Sequence, residues 1–360
     1  MVAGLYYLWF NLITNLRRLG LPDDFSFLDN RTGFRITGTN FDPANPVLEA
    51  FLVGARNTLL VAAVGIAISA VLGVLVGIAR LSSNWLVRRA ATVYVETLRN
   101  VPVLVVIIFF SAAVILSLPS VDNPIEWLGA IALSKRGLWI PSLVAGDRAG
   151  LFLIIATAAV AGAVVLGWWR TKAWERTGQP HRRILSGLGL IAVVVVAAYV
   201  ALGGPIAVSF PVRTQRSVAG GTIVSPELAA LLAGLVVYTT SHIAEVVRGS
   251  IQAIPKGQVE AASAVGLRPG HRMRYVILPQ ALRIATPSLG NQFLNLTKNS
   301  SLAVAIGYPD LMRVARISIG SGVPAPQAIA IVMLIYLTIS LFIAALVNLA
   351  NWRLSLATRR

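Results

Sequence analysis

Long apolar runs, separated by short polar segments, dominate the chain. A helix needs roughly 20 mostly apolar residues to cross a bilayer's hydrocarbon core. Seven stretches meet or approach that length: Asn57–Ala79, Tyr94–Leu118, Leu151–Trp169, Leu185–Leu202, Leu228–Val247, Ser288–Ile306 and Ala328–Ala350. Polar residues interrupt the second and sixth, and the fourth is short and Gly-rich. None alternates with the period of two that marks a membrane strand, so the pattern argues for helices and against a β-barrel. An eighth stretch, Met1–Leu16, is short, contains Asn11, Thr14 and Asn15, and has no small-residue cleavage pattern. It fits an interfacial helix or the tail of a longer span.

Composition sharpens this picture. Of 360 residues, 56% are hydrophobic and only 12% charged, against about 25% charged in soluble domains. That excludes an ordinary cytosolic enzyme and a disordered chain. The net charge is +17, from 31 Lys and Arg against 14 Asp and Glu. Sorting the charges into alternate loops gives them a meaning. One side holds seventeen basic residues, among them Arg80, Arg88, Arg170, Arg182, Arg248, Arg274, Arg353 and Arg360, offset only by Glu175 and Glu260. The other holds eleven basic residues, including Arg216, against ten acids, including Asp23. By the positive-inside rule the first side is cytoplasmic and the C-terminus lies inside. The basic excess therefore reads as orientation and not as a nucleic-acid surface. With no cysteine, thiolate nucleophiles and Cys-based metal sites are excluded. His181, His242 and His271 are too scattered for a metal centre.

On this reading the chain divides into an N-terminal apolar segment and external region (1–53), two spans (54–118), an external loop with a two-span insertion (119–227), further spans (228–352) and a short cytoplasmic tail (353–360). The external loop Leu118–Gly150 carries Trp127 and Trp139, which suit either a membrane interface or ordinary loop packing. Trp168, Trp169 and Trp174 flank a basic loop as an interfacial belt. Gly73 and Gly77 are spaced for close helix packing.

Residues 248–287 form the longest cytoplasmic segment. Pro255 suits a helix start, and Glu260, Ala261 and Ala262 lie in a helix-forming run. Gly266 suits a left-handed helix stop. Arg268-Pro269-Gly270 signals a turn, and His271–Leu278 fits a second short helix ended by Pro279. Two short helices with a glycine corner suit either a plain loop or a docking surface, with small residues allowing close approach by a partner.

Glu260-Ala261-Ala262, then Gly266, then Val276-Ile277-Leu278-Pro279 resembles the EAA motif of bacterial ABC-importer permeases, with Val276 in a slot where that motif has Ile. Ile243–Gly249, Asn295–Leu302 and Glu96–Pro102 resemble the polar amino acid permeases of that class. The likeness covers Asn57–Leu116 and Leu228–Trp352. Leu133–Pro141 and Phe25–Ile36 resemble the first permease subunits of general L-amino acid ABC transporters. That group carries a full span before the Phe25–Ile36 region, where this chain has only Met1–Leu16. Two readings follow, a start codon assigned late or a span truly lost.

The resemblance implies an all-α type I ABC-importer permease bundle, of about seven full spans plus the short N-terminal segment, in the bacterial inner membrane. It implies an ATPase dimer, a periplasmic amino-acid-binding protein and a second permease, with a related chain favoured over a second copy. Glu260, Ala261, Ala262, Gly266, Leu278 and Pro279 would couple to the ATPase. No cofactor is expected, because the sequence has no G-x-x-x-x-G-K-[ST] phosphate loop and ATP would be held by the partner. ATPase closure would then bias a bistable membrane pathway.

The sixth span is unusually polar. Asn291, Asn295, Lys298 and Ser301 are candidates for lining a substrate pathway, with Lys298 attracting a carboxylate; hydrogen bonding between helices of a permease pair explains them as well. Glu96, Arg99 and Glu245 sit near span ends and suit snorkelling or local ion pairs. His242 reads best as a hydrogen-bonded residue near a helix end. The competing classes are an ATP-independent carrier, for which no inverted repeat is seen, and a membrane-embedded enzyme. For the latter, Gly320-Ser321-Gly322 offers only a serine in a loop without a nearby histidine.

Overall fold

The computed structural model describes residues 2–18, 20, 24–177, 183–214 and 217–356. Asp23, His181, Arg182, Arg216, Arg359 and Arg360, used in the readings above, lie outside the described residues. The helices, in chain order, are α1 (Val2–Arg18), α2 (Val47–Ala79), α3 (Trp85–Arg99), α4 (Val103–Phe109), α5 (Ala149–Thr177), α6 (Arg183–Ala201), α7 (Pro226–Gln252), α8 (Lys256–Ala264), α9 (Pro269–Arg272), α10 (Leu278–Asn299), α11 (Leu311–Gly320) and α12 (Ala325–Leu356). The chain forms two compact units, one of Met1–Ser117 with Ser225–Arg360 and one of Leu118–Val224.

Among the described residues, five helices are long and apolar enough to cross a membrane: α2, α5, α6, α7 and α12. A sixth candidate is bent. α3 meets the Val103–Ile115 stretch, α4 with a π-helical turn, at 106°. The straight second span expected over Tyr94–Leu118 is thus broken at Asn100–Pro102. Pro102 has no N–H, and its ring drives Val101 out of the helical region. Asn100 closes α3 by donating from Nδ2 to the Glu96 carbonyl at 2.7 Å. The sixth expected span also differs: α10 ends at Asn299 and runs into a 3-10 turn over Ser300–Ala305. Its polar residues keep it from qualifying as an independent apolar span. By length and composition the described residues thus hold five such helices and one bent pair, and of the seven expected stretches α10 alone is not among them.

In the first unit α7 is the centre, packing against α2, α3, α4 and α10. Ser225 caps its start, accepting from Leu228 N at 3.2 Å, and Pro226 occupies its first turn. Small residues decide how close its neighbours come. A Cβ on Gly73 would collide with Ile243, and one on Gly77 would lie 2.8 Å from the Ala244 carbonyl oxygen. Within α7, a Cβ on Gly234 would lie 2.9 Å from Ile107 Cα. Tyr94 of α3 donates to the Val237 carbonyl at 2.6 Å. Val61, Ile107, Leu231 and Leu235 are fully buried where these helices meet.

In the second unit α5 and α6 pair, with Phe152 and Tyr199 edge to face at 6.1 Å between ring centres. Short strands accompany them: β1 (Ile125–Trp127), β2 (Ile131–Ser134), β3 (Gly137–Ile140), β4 (Ser142–Ala145), β5 (Ile206–Ser209), β6 (Val212–Arg213), β7 (Val218–Ala219) and β8 (Thr222–Val224). They build an antiparallel sheet in the order β1-β2-β3-β8 and two ribbons, β4-β5 and β6-β7. Trp139 is buried against Val121, Ala132 and Val218, whereas Trp127 is exposed. The two tryptophans of this loop therefore divide: one packs a core and one faces outward.

Candidate functional site

The segment after α7 is built as a corner. Pro255 precedes α8, which places Glu260 and Ala261 outward and buries Ala262. Gly266 stops the helix at φ +78°. Its N–H bonds to the Ser263 carbonyl at 2.9 Å and Leu267 N–H to the Ala262 carbonyl at 3.1 Å. This pair of bonds is a Schellman stop, which needs the left-handed region that glycine enters freely. Beside it Val265 is 76% exposed, an apolar side chain held on the corner's surface. Arg272 of α9 donates to Ser263 Oγ of α8 and fixes the angle between them.

Pro279 does not end the second helix. α9 continues through a π-turn, Met273–Ile277, and Pro279 lies in the first turn of α10. Leu278 N–H bonds to the Met273 carbonyl across that wider turn, so the helix passes Pro279, which has no N–H to offer, without ending. Leu278 is 44% exposed and Pro279 half-buried. All six expected coupling residues thus lie in one continuous stretch leading from the corner into α10.

α10 has two faces. Ala281, Ala285, Gly290, Leu296 and Thr297 are buried. Gly290 lets α12 in: a Cβ there would lie 2.7 Å from Val347. Asn291, Asn295 and Lys298 recur at helical spacing on the other face, and all three are exposed. Ser301 is half-buried, and its hydroxyl donates to the Lys298 carbonyl at 2.7 Å. The structure therefore gathers three of the four pathway candidates on one open polar face and turns Ser301 onto its own backbone.

A charged cluster joins the end of α2 to α3 and α7. Glu245 is its centre. Arg248 grips it with Nε at 3.1 Å and Nη2 at 2.5 Å. Arg80, just after α2, pairs with the same carboxylate, and Arg99 lies 3.9 Å from it. Arg80 also reaches Glu96 at 3.8 Å. Glu96, Arg99 and Glu245 thus make the ion pairs that their span-end positions suggest. Arg80 and Arg248 were not singled out as their partners; Arg80 lies 165 positions from Glu245, a separation no local spacing reveals. The His242 ring lies 4.6 Å from that of Tyr238, tilted by 52°, and its buried Nε2 has no hydrogen-bond partner among the described residues. The expected hydrogen bond is not seen at that nitrogen.

Asp310 forms a second polar node, missed in the sequence. It is fully buried and caps α11, accepting from Arg313 N at 2.9 Å and from the Tyr336 hydroxyl at 3.3 Å. Thr58 Oγ1 accepts from Leu311 N at 3.1 Å, and Asn57 donates to the Pro309 carbonyl at 2.8 Å. The neighbouring α2 and α11 thus meet through polar as well as apolar contacts. Burial pushes the Asp310 carboxyl from the ordinary 3.8 up to about 6. The folded state then holds its proton more tightly than the unfolded chain. The associated stability is present below pH 4 and is lost as pH rises through 6. Asp310→Asn keeps an oxygen to cap α11 and should remove that slope. Melting in detergent between pH 4 and 7, compared between the two proteins, measures it; an unchanged slope in the variant would contradict the assignment.

Residues 69–355 match the family model described as binding-protein-dependent transport system inner membrane component. The chain is 38% identical to the general L-amino acid transport system permease protein AapQ of Rhizobium johnstonii, over 100% of this chain and 90% of that protein. It is 39% identical to the putative amino-acid ABC transporter permease protein YhdX of Escherichia coli, over 98% of this chain and 91% of that one. A crystal structure of an amino acid ABC transporter with histidines shares the fold, with a TM-score of 0.50 at 20% identity, covering 85% of this chain and 94% of that one. The Schellman corner, the polar face of α10 and the helical bundle that holds them are parts of a transport component and not of an enzyme, and the chain belongs to the binding-protein-dependent transport system inner membrane component family.

Proposed function

We propose that this chain is a membrane subunit of an ABC importer that moves L-amino acids across the bacterial inner membrane, driven by a separate ATPase dimer and fed by a periplasmic binding protein. The observation that carries this reading is the exposed corner Glu260–Pro279, whose stop at Gly266 leaves Glu260, Ala261 and Val265 open to a partner. Amino acid cargo follows from the names of the two full-length relatives. The charge bias of the loops supports a cytoplasmic corner and C-terminus, on the side where an ATPase would dock. The open face of Asn291, Asn295 and Lys298 suits a pathway shared with a second permease, because polar groups within a membrane face a cavity or one another. A related chain, rather than a second copy, is the favoured partner.

The test replaces Glu260 with Ala and Gly266 with Val, singly and together, in cells carrying the neighbouring transport genes. The variants should insert normally, lose the co-purifying ATPase and lose amino acid uptake. Val at 266 cannot easily adopt φ +78°, so the corner itself should open. Unchanged uptake with no stably co-purifying ATPase would overturn the reading.

A further inference from the structure

The β1-β2-β3-β8 sheet has one uncharged apolar face, half-buried apart from its β1 edge, and an opposite face where Ala132 and Trp139 pack a core beside the exposed Glu126 and Ile223. Directly paired residues share a face. Ile125 pairs with Leu133, Trp127 with Ile131, Leu133 with Leu138, and Leu138 with Val224. These six residues form one uncharged face. The opposite face carries Ala132 and Trp139, which pack with Val121 and Val218. On the first face Ile125 is 49% exposed and Trp127 61%.

The β1–β2 hairpin tip is more apolar still. Leu128 is 84% exposed and stands at φ 55°, a left-handed conformation that a leucine rarely adopts. An exposed tryptophan and leucine, turned outward by such a backbone, need a partner that takes apolar groups.

Continuity of surface identifies that partner. α5 and α6 read as membrane spans, and their outer sides are apolar and exposed. Only Gly146–Arg148 separate α5 from β4, and only Pro141 separates β4 from β3. The β4-β5 ribbon continues the apolar surface, with Leu143 and Val144 on one strand and Val208 on the other exposed. A four-residue strand spans about 13 Å, so the sheet is tethered near the lipid boundary. At the far end of the β1–β2–β3 meander the turn carries Lys135 and Arg136. The sheet is therefore apolar at one tip and basic at the other. Aromatic and aliphatic groups with a polar opposite end are the pattern of an element lying in the membrane interface.

We infer that the Trp127–Leu128 tip and the outer face of this sheet bind the lipid surface, seating the insertion on the bilayer. The inference depends on α5 and α6 being spans and is independent of the cargo.

The chain has no cysteine, so each introduced cysteine is its single labelling site, and the unsubstituted chain with its co-purifying subunits serves as the labelling blank. Nitroxide labels are placed at Leu128→Cys, at Lys135→Cys as a water control and at Leu188→Cys in α6 as a lipid control. The full chain, with its co-purifying subunits, is reconstituted in vesicles of phosphatidylethanolamine and phosphatidylglycerol. Accessibility to oxygen is compared with accessibility to a water-soluble nickel chelate. The oxygen-to-nickel ratio at 128 should be several-fold above that at 135 and approach that at 188. A ratio at 128 equal to that at 135 would overturn the inference. A label at 128 shielded from both reagents would also overturn it, because the tip would then lie against protein. A water-like reading at 188 would instead overturn the span assignment beneath it. If the label is not accepted at 128, Ile125→Cys reads the same face.

Discussion

Replacing Glu245 with alanine is expected to destabilise the bundle, by less than the roughly 3–5 kcal/mol that follows loss of one partner from a fully buried ion pair, because Glu245 is half-buried. The carboxylate lies among Arg80, Arg99 and Arg248, and the Arg80 side chain is only 9% exposed. Arg80 Nε already lacks a partner among the described residues, so the guanidinium has little else to turn to. Glu96 lies 3.8 Å away, but its side chain is 65% exposed and pairs in a more water-like environment. Glu245→Ala should lower the melting temperature in detergent and the yield of monodisperse protein. The combination Arg80→Met with Glu245→Leu should recover most of that loss, since apolar groups of similar size often replace a buried pair at little cost. A melting temperature unchanged in Glu245→Ala would mean that the arginines are solvated and the cluster is ornamental. A double variant as unstable as the single one would mean that the charge itself is not the issue.

Gly73→Val should be comparably damaging for a steric reason. An added Cβ at 73 runs into Ile243, and one helical turn later Gly77 faces the Ala244 carbonyl at 2.8 Å. Overpacking a well-filled contact costs typically about 1–3 kcal/mol, and more where nothing can yield. Here the obstacle includes β-branched Ile243, which is fully buried with Ala244 in α7. The lowest-energy escape separates α2 from α7, which also strips burial from Val61 and Leu235. Because the Cβ itself meets Ile243 at 2.3 Å, Gly73→Ala should already lower the folded fraction after detergent extraction and Gly73→Val should lower it further. A folded fraction of Gly73→Val equal to that of the unsubstituted protein would show that the helices can move apart without penalty.

The spans at α2, α5, α6, α7 and α12 were legible because each is a nearly unbroken apolar run, and lipid demands little more than that. Gly266 was legible as a stop because its position one turn after Ala262 has few other uses. Two prolines were harder. Pro102 carried the signal for the break in the second span, but hydropathy runs straight through it. Pro279 suits either the end of one helix or the first turn of the next, and only the π-turn before it decides. α10 kept its polar residues in view, yet which of them share an open face needed the packing of Gly290 and Thr297 to be known. The small strands were invisible: two to four residues give no measurable alternation, and pairs such as Leu138 with Val224 join positions far apart in the chain. Asp310 was passed over as one acid among ten on its side, because burial is a property of the fold and not of the residue.

The close approach of α2 to α7 has a mechanical consequence. With glycine against side chain and backbone at two successive turns, and a charged clasp at one end, neither helix can slide past the other without breaking contacts at both. The pair must travel as a rigid body. Any large rearrangement in this unit is then left to the joints where the chain is interrupted: Asn100–Pro102, Ala253–Pro255 and the left-handed Gly266.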